Sequence, residues 1–281
     1  MPTQSARFQV TLSHAELVYL LKLFGADPGV GIDRDPFEAL SPEQITTAHD
    51  TAAAALRARN LLRFGADQQP LLADDLLCVL SGYVDPVQLI TAYRYANNDG
   101  LPLAFFGYRR NGDDVIHTRP GDLLHEFTLV HGIEALVEAL AEFCGPAKMP
   151  ARAQPPRKVP AAAMAAARAF AEAGRAGEIV NVLNRAGMAV AEAEVLAANL
   201  ITPSALTTLT ILTKRDNQPP QRRDCVYWQS DANHSALLIV YERGKAAAAQ
   251  TDAAPDAAPD EVLIADGSEA TLRALFNEMA C

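Results

Sequence analysis

The same order of secondary-structure elements is predicted twice along this chain, and that repetition limits its fold more than any other feature. Each half contains helices, then four short strands, then one helix. Both halves enter their strands alike: Pro86 is followed three residues later by Leu89, and Pro203 three residues later by Leu206. The order therefore predicts two similar α+β modules.

A single offset of 135 residues aligns the ends of the two halves. The aligned pairs are Phe127 with Val262, Leu129 with Ile264, Gly132 with Gly267, Glu134 with Glu269, and Ala135 with Ala270. Any junction of strand, glycine and helix would share part of this pattern, so coincidence is the alternative to a tandem duplication. We predict a duplication that builds an α+β fold of two pseudo-symmetric halves, with mainly antiparallel strands in a central sheet flanked by helices.

A proline-rich stretch separates the two predicted modules. Residues 145–160 include five prolines, which neither a helix nor a central strand accommodates. We assign residues 1–144 to the first module, residues 145–160 to a basic linker, and residues 161–281 to the second module. Residues 244–260 consist mainly of Ala, Asp and Pro and are predicted to be a disordered loop between two strands.

Hydrophobic periodicity and turn residues predict the individual elements. Three helix starts have the spacing of a capping box: Ser13 with Glu16, Ser41 with Gln44, and Asp266 with Glu269. The predicted helices are 13–24, 41–63, 73–80, 133–144, 161–173, 177–186, 190–200 and 268–279. The predicted strands are 8–12, 87–95, 101–108, 115–119, 126–131, 206–214, 225–229, 235–242 and 261–265.

The charge balance argues against nucleic-acid binding. The chain has 24 Lys and Arg against 34 Asp and Glu, a formal net charge of −10, whereas binding to a phosphate backbone needs a basic stripe. The local cationic excess is confined to the proline-rich stretch, at Lys148, Arg152, Arg157 and Lys158. The longest uncharged run, residues 195–213, is too polar to span a bilayer, and the N-terminus has no secretory pattern. We expect a cytoplasmic protein that does not insert into membranes.

A search for catalytic or metal-binding motifs finds none, so we predict no enzyme and no cofactor, catalytic residue or metal ligand. The six histidines have no metal spacing, and no P-loop, GxGxxG or GxSxG string occurs. His125 and His131 flank one predicted strand, six residues apart and on the same face; an edge or turn position is expected, and metal ligation is the alternative. Cys78, Cys144, Cys225 and Cys281 lie far apart, and Cys144 and Cys225 fall in apolar patterns typical of core thiols.

Two pairs of adjacent carboxylates have structural explanations. Asp74 and Asp75 stand at a predicted helix start, where negative charge is stabilised. Asp113 and Asp114 are predicted to lie in a hairpin turn.

The alanine-rich helices of residues 161–200 carry more apolar surface than a single helical layer over a sheet requires. The residues in question are Val180, Leu183, Val190, Val195, Leu196 and Leu200. Each is either part of the core or part of a groove for an amphipathic partner helix.

Several segments together resemble EspG, a family of cytosolic chaperones associated with type VII secretion in mycobacteria. The opening residues 12–17 are similar to the strand-then-helix start of that family, and residues 56–62 to the end of its early long helix. Residues 226–231, followed by an apolar strand at 236–241, look like its Trp-containing hairpin. The sequence departs from the family after the hairpin aspartate, where Ala232-Asn233-His234 replaces the expected Gly-Arg.

The resemblance implies a non-enzymatic protein that holds a helical secretion substrate before export, with partner-binding residues unknown. The clients of the family are paired helical proteins named for Pro-Glu and Pro-Pro-Glu motifs. We expect a monomer or homodimer that binds such a helical client. The alternative is a small-ligand-binding protein or enzyme with a pocket between the halves, for which His117, His125, His131 and Glu134 are the residues to inspect. A structural assembly subunit that pairs through sheet edges is a third hypothesis.

Overall fold

The computed structural model describes residues 8–27, 29–32, 37–96, 102–110, 112–121, 123–145, 156–215, 218–230, 235–242 and 261–280. Over these residues the protein has a mixed α+β fold in which helices flank an antiparallel sheet of ten strands. The predicted fold class is confirmed.

Most predicted elements are present, with ends that differ by a few residues. The strands are β1 (Phe8–Ser13), β2 (Leu62–Phe64), β3 (Pro70–Leu72), β4 (Gln88–Ala96), β5 (Leu103–Arg110), β6 (Asp113–Gly121), β7 (Leu124–His131), β8 (Arg157–Pro160), β9 (Pro203–Arg215), β10 (Gln218–Ser230), β11 (Ser235–Glu242) and β12 (Glu261–Asp266). The helices are α1 (His14–Leu23), α2 (Pro42–Ala58), α3 (Asp74–Val84), α4 (Ile133–Cys144), α5 (Ala161–Glu172), α6 (Ala176–Arg185), α7 (Val190–Ile201) and α8 (Glu269–Ala280).

The order of strands in the large sheet is β1-β7-β6-β5-β4-β9-β10-β11-β12-β8. From either end the order follows the same rule. An outer strand, β1 or β8, comes first, and the four strands of the same half follow in reverse chain order. β1 pairs antiparallel with β7, with Phe8 opposite Leu129, and β8 pairs antiparallel with β12, with Val159 opposite Val262. Tandem modules would give this order. The duplication itself remains a prediction.

Two compact units can be distinguished within the chain. The first comprises residues 1–90, 104–136 and 213–220, and the second comprises residues 91–103, 137–212 and 221–281. In the first unit, α1 is buried along most of its length, and its side chains pack with those of β7 and α2. In the second unit, α5, α6 and α7 contact one another around an apolar core.

Local sequence signals account for the helix starts. Ser13 and Ser41 accept hydrogen bonds from the backbone N–H of Glu16 and Gln44, whose side chains reach back to the serine N–H, so both capping boxes are confirmed. The start of α8 differs from the prediction. Ser268 caps the backbone N–H of Thr271, and Asp266 instead binds the Ser268 N–H.

The end of α2 was predicted too late in the chain. The helix ends at Ala58, and Asn60 adopts a left-handed conformation with φ of 57°. The Asn60 N–H donates to the Arg57 carbonyl and the Leu61 N–H to the Leu56 carbonyl, the two bonds of a Schellman motif. The residues after this motif form the small β2–β3 hairpin, which was not predicted.

The proline-rich stretch is not wholly a linker. Arg157–Pro160 form β8 at the end of the sheet, where Val159 is buried and a proline costs no sheet hydrogen bond. Residues 146–155, the predicted loop at 244–260 and the predicted turn at 97–100 lie outside the described residues.

Candidate functional site

The three helices α5, α6 and α7 pack onto strands of the second unit through small and aliphatic side chains. Alanines at the buried positions allow the helices to approach one another closely. The buried core beneath them includes Met164, Ala167, Ala171, Ile179, Leu183, Ala193, Leu196, Ala197, Leu200, Val226, Trp228, Ile239 and Val262.

Helix α7 has one buried side and one exposed side, as its 3.6-residue period requires. The buried side carries Ala193, Leu196, Ala197 and Leu200. The indole N–H of Trp228 donates to the Asn199 carbonyl at 3.0 Å and fixes the last turn of the helix to β10. The orientation of α7 is therefore determined by the core beneath it.

The exposed side of α7 is apolar for a surface helix. It carries Val190, Ala191, Glu194, Val195 and Ala198, which we call the α7 face. The exposed fractions of Val190 and Val195 are 51% and 56%. Glu194 is the single charged side chain of the face, while Glu192 pairs with Arg157 of β8. The face thus combines aliphatic surface with one negative charge.

The six apolar residues singled out in the sequence divide into two groups. Leu183, Leu196 and Leu200 belong to the core, and Val180 packs against it. Val190 and Val195 alone among the six are largely exposed. The sequence could not separate the groups, because helical periodicity indicates two sides without indicating which is covered.

The exposed sides of the neighbouring helices differ from one another. On α5 it carries Ala162, Ala165 and Ala169, so this side is also weakly polar. On α6 it carries Asn181, Asn184 and Arg185. The aliphatic exposure in this layer of helices is therefore greatest on α7.

The four residues to inspect for an active site do not form one cluster. His117 and His125 are both 0% exposed and hydrogen-bonded to each other, with His117 Nε2 at 2.9 Å from His125 Nδ1. His131 and Glu134 are exposed, at the end of β7 and the start of α4. The expectation of an edge or turn position was therefore wrong for His125. A general acid or base must reach its substrate, which these two buried rings do not.

No pattern in the sequence indicated the third member of this group, His14. His14 Nδ1 lies 2.9 Å from His125 Nε2, and His117 Nδ1 lies 3.3 Å from the hydroxyl of Tyr108. His14 is the first residue of α1 and is mostly buried. The alternation of side chains along β6 and β7 could have indicated that His117 and His125 are buried. His117 lies on the same side of its strand as the buried Val115, and His125 on the same side as the buried Phe127.

Aromatic rings surround the buried histidines. The ring of His117 stacks on Phe127 at 4.4 Å and on Phe106 at 5.1 Å, measured between centroids, and Tyr83 meets it edge-on. Burial holds the pKa of His117 well below its ordinary value; a charge on His125 would lower that pKa further, as the charge of Arg119 does. His117 is therefore neutral in the folded protein at neutral pH.

A second buried polar group replaces the predicted turn at Asp113 and Asp114. Both residues lie in β6, and Asp114 is 1% exposed. Its Oδ1 pairs with Arg109 Nε at 3.2 Å, and Arg109 in turn donates to Gln88. Burial raises the pKa of Asp114 more than the Arg109 charge lowers it. Asp74 and Asp75 lie in the first turn of α3, as predicted.

Cys144 and Cys225 are core thiols, as predicted. Both are almost completely buried, and burial raises the pKa of Cys144 to about 12 and also raises that of Cys225. A thiol that stays protonated is a poor nucleophile.

The described residues contain no group of three or more His, Cys, Asp or Glu side chains arranged to hold a metal ion. The ring nitrogens of the buried histidines point at one another along a row and do not converge on a common point. Within the same part of the chain, every helix is too short or too polar to cross a membrane.

Comparison with known proteins identifies a solved structure with a similar fold. No protein-family model matches the sequence, and no curated protein does. A solved structure of the Mycobacterium tuberculosis type VII secretion system chaperone EspG5, in complex with a PE25-PPE41 dimer, is similar to this protein with a TM-score of 0.66. The match covers 97% of this chain and 96% of that chain, at 12% sequence identity. The fold of this protein is therefore similar to that of EspG5 along nearly its whole length.

Proposed function

We propose that this protein is a non-enzymatic chaperone that binds a helical protein client. The observation that carries the proposal is the similarity in fold to EspG5, which extends over nearly all of both chains. That structure contains EspG5 in complex with a PE25-PPE41 dimer, so its fold serves to hold another protein. Fold alone does not determine function, and the proposal also needs a surface that can bind.

The α7 face is the surface that we propose for the client. Val190 and Val195 leave about half of their side-chain surface in water, and the flanking alanines offer no steric barrier. A client helix with an aliphatic stripe would bury this surface, which is worth about 25 cal/mol for each Å² removed from water. Glu194 would favour a Lys or Arg beside the stripe, which the net charge of −10 also favours.

The remaining expectations follow from this role. The protein is proposed to act in the cytoplasm as a monomer or homodimer, without nucleic acid, membrane insertion, metal or cofactor. No observation on the described residues favours the alternative of a ligand pocket or active site, because the histidines and Glu134 singled out for it are divided between the interior and the surface.

Co-expression with small helical proteins encoded near its gene tests the proposal. The expected result is a stable complex by size-exclusion chromatography, and a loss of affinity of at least tenfold for Val195→Asp. That substitution adds a second negative charge to the α7 face beside Glu194. Leu77→Asp on α3 is the matched control, because Leu77 is 48% exposed on a helix of the first unit.

Two results would contradict the proposal at different levels. Failure of every helical pair to bind the wild-type protein would contradict the chaperone role. Binding that survives Val195→Asp, but not Leu77→Asp, would leave the chaperone role standing and move the client to another surface.

A further inference from the structure

Three imidazoles form a continuous hydrogen-bonded row inside the first unit. His14, His125 and His117, which we call the imidazole row, are linked by two contacts of 2.9 Å between ring nitrogens. The row continues from His117 to the Tyr108 hydroxyl, and that hydroxyl donates to the Val30 carbonyl at 3.0 Å. It joins α1, β7, β6 and β5 with the segment at residues 29–32.

The carbonyl at one end of the row determines the direction of every bond in it. A carbonyl oxygen accepts only, so Tyr108 donates to Val30 and its own oxygen accepts from His117 Nδ1–H. The Nε2 of His117 then accepts from His125 Nδ1–H, and the Nε2 of His125 accepts from His14 Nδ1–H. With His117 and His125 neutral, as their complete burial requires, both of these rings carry their proton on Nδ1.

A proton added to either inner ring breaks this row. Protonated imidazole has two N–H donors and no acceptor, so a charged His117 or His125 would face the N–H of its neighbour as long as the neighbouring rings keep these tautomers. The charge would also be buried among Phe106, Phe127 and Tyr83, where it is poorly solvated.

The groups around the row offer a buried imidazolium little compensation. Besides the row itself, the described residues that titrate or bear a charge on the elements that carry it, and on α3, are Glu16, Tyr19 and Lys22 of α1, Asp74, Asp75, Cys78 and Tyr83 of α3, Tyr108, Arg109 and Arg110 of β5, Asp113, Asp114 and Arg119 of β6, and Glu126 and His131 of β7, with Arg59 next to α2. Glu16 is occupied by Arg59 and by the Ser13 N–H, and Glu126 accepts from Gln9. Arg119 carries a positive charge that opposes a second one on His117.

We propose that the imidazole row is a pH-sensitive switch that holds the first unit folded at neutral pH and weakens it selectively in mildly acidic conditions. The folded state keeps His117 and His125 neutral, whereas the unfolded chain protonates them near pH 6.5. The stability that depends on neutral His117 and His125 is therefore fully present above about pH 6.5 and decreases as the pH falls below that value. Two such groups lower the folding equilibrium constant about a hundredfold between pH 7.5 and pH 5.5.

The first test is denaturant unfolding of the full chain at pH 7.5, 6.5 and 5.5. Because other groups also titrate, the informative quantity is the difference in pH dependence between the wild type and the double variant His117→Phe/His125→Phe. In the double variant, the folding equilibrium constant should not show the roughly hundredfold decrease between pH 7.5 and pH 5.5 that the two histidines cause. His131→Gln is the matched control: it removes an exposed histidine at the end of β7 and should keep the wild-type dependence.

Hydrogen exchange of the wild-type chain locates the effect without any variant. Five of the six histidines, all except His234, belong to the first unit. At pH 5.5, after correction for intrinsic exchange, protection of α1, β6 and β7 should fall by at least tenfold more than protection of α5, α6 and α7. An equal fall in both sets would overturn the proposal.

Nitrogen-15 NMR of histidine-labelled wild-type protein tests the arrangement directly. At pH 7, His125 and His117 are expected as neutral rings protonated on Nδ1. A ring of His117 or His125 protonated on Nε2, or one that titrates near pH 6.5 while the protein stays folded, would overturn the proposal even if the double variant does not fold.

Discussion

The interiors of the two compact units are built from different chemical groups. The buried histidines and carboxylates of the described residues all belong to the first unit, among them the imidazole row and Asp114. The core beneath α5, α6 and α7 in the second unit is aliphatic and aromatic, and the buried polar side chains of this unit are uncharged groups such as Asn199 and Thr207.

Similar orders of elements can therefore be stabilised by forces that respond differently to mutation and to pH. Apolar burial is non-directional and does not depend on protonation. A hydrogen-bonded row holds only in one protonation state and one geometry, and a buried polar group left without its partner is costly. We therefore expect the stability of the second unit to fall when a core side chain is shortened. The stability of the first unit should fall when a single buried polar atom is removed or when the pH is lowered.

The largest effect is expected from a cavity in the second unit. Leu183→Ala removes a side chain that is 0% exposed and should lower the free energy of unfolding by about 3 kcal/mol. The loss should be the same at pH 7.5 and pH 5.5, as measured by denaturant unfolding. Asn181→Ala, at an exposed position of the same helix, is the control and should change stability by less than about 0.5 kcal/mol. A strongly pH-dependent loss for Leu183→Ala would remove the contrast between the units.

An intermediate effect is expected from removing a single hydroxyl in the first unit. Tyr108→Phe deprives both the Val30 carbonyl and His117 Nδ1–H of a partner, so a loss of about 2 kcal/mol is expected. Tyr227→Phe in the second unit is the matched comparison, because the buried Tyr227 hydroxyl donates to the Gly267 carbonyl at 3.0 Å. Its expected loss is about 1 kcal/mol. Equal losses in thermal or denaturant unfolding would argue against a continuous row.

The smallest effect concerns helix starts, which differ from one helix to another. α1 and α2 have complete capping boxes, whereas α5, α6 and α7 begin at Pro160, Arg175 and Ala189 without a side-chain cap. Ala189 already has the extended conformation of an N-cap, with φ of −63° and ψ of 144°. Ala189→Ser should therefore raise the free energy of unfolding by about 0.5–1 kcal/mol.

The position within the helix provides the control for this last prediction. Ala191→Ser places a hydroxyl two residues beyond the N-cap position of α7. A hydroxyl inside the helix cannot act as an N-cap, so this substitution should not stabilise the protein. A gain from Ala191→Ser as large as that from Ala189→Ser would show that capping is not the cause.

Much of the fold could be predicted from local patterns. Capping boxes located α1 and α2, and alternation located β6 and β7, because these signals depend on residues only a few positions apart. The end of α2 was missed although Asn60 is a recognised helix terminator, and the short strands β2 and β3 were missed with it. The apolar surplus of residues 161–200 was recognised, but not its division into core and exposed face.

The imidazole row could not be predicted, because its contacts join residues far apart in the sequence. His14 and His125 are separated by 111 positions, and no spacing rule relates them. Their contact depends on the antiparallel pairing of β1 with β7, which places Leu12 opposite His125 and brings the first residue of α1 close to it. Asp114 was assigned to a turn for a different reason: it directly follows turn-forming residues, whereas β6 already begins at Asp113 and places Asp114 opposite Arg109 of β5.

Local sequence patterns are sufficient to predict the class of the fold and the position of most elements, because periodicity and capping depend on neighbouring residues alone. Which polar groups are buried, and which aliphatic side chains remain in water, is established only when the elements pack. Those outcomes depend on strand register and on which side of a helix another element covers, and both are properties of contacts between segments distant in the chain.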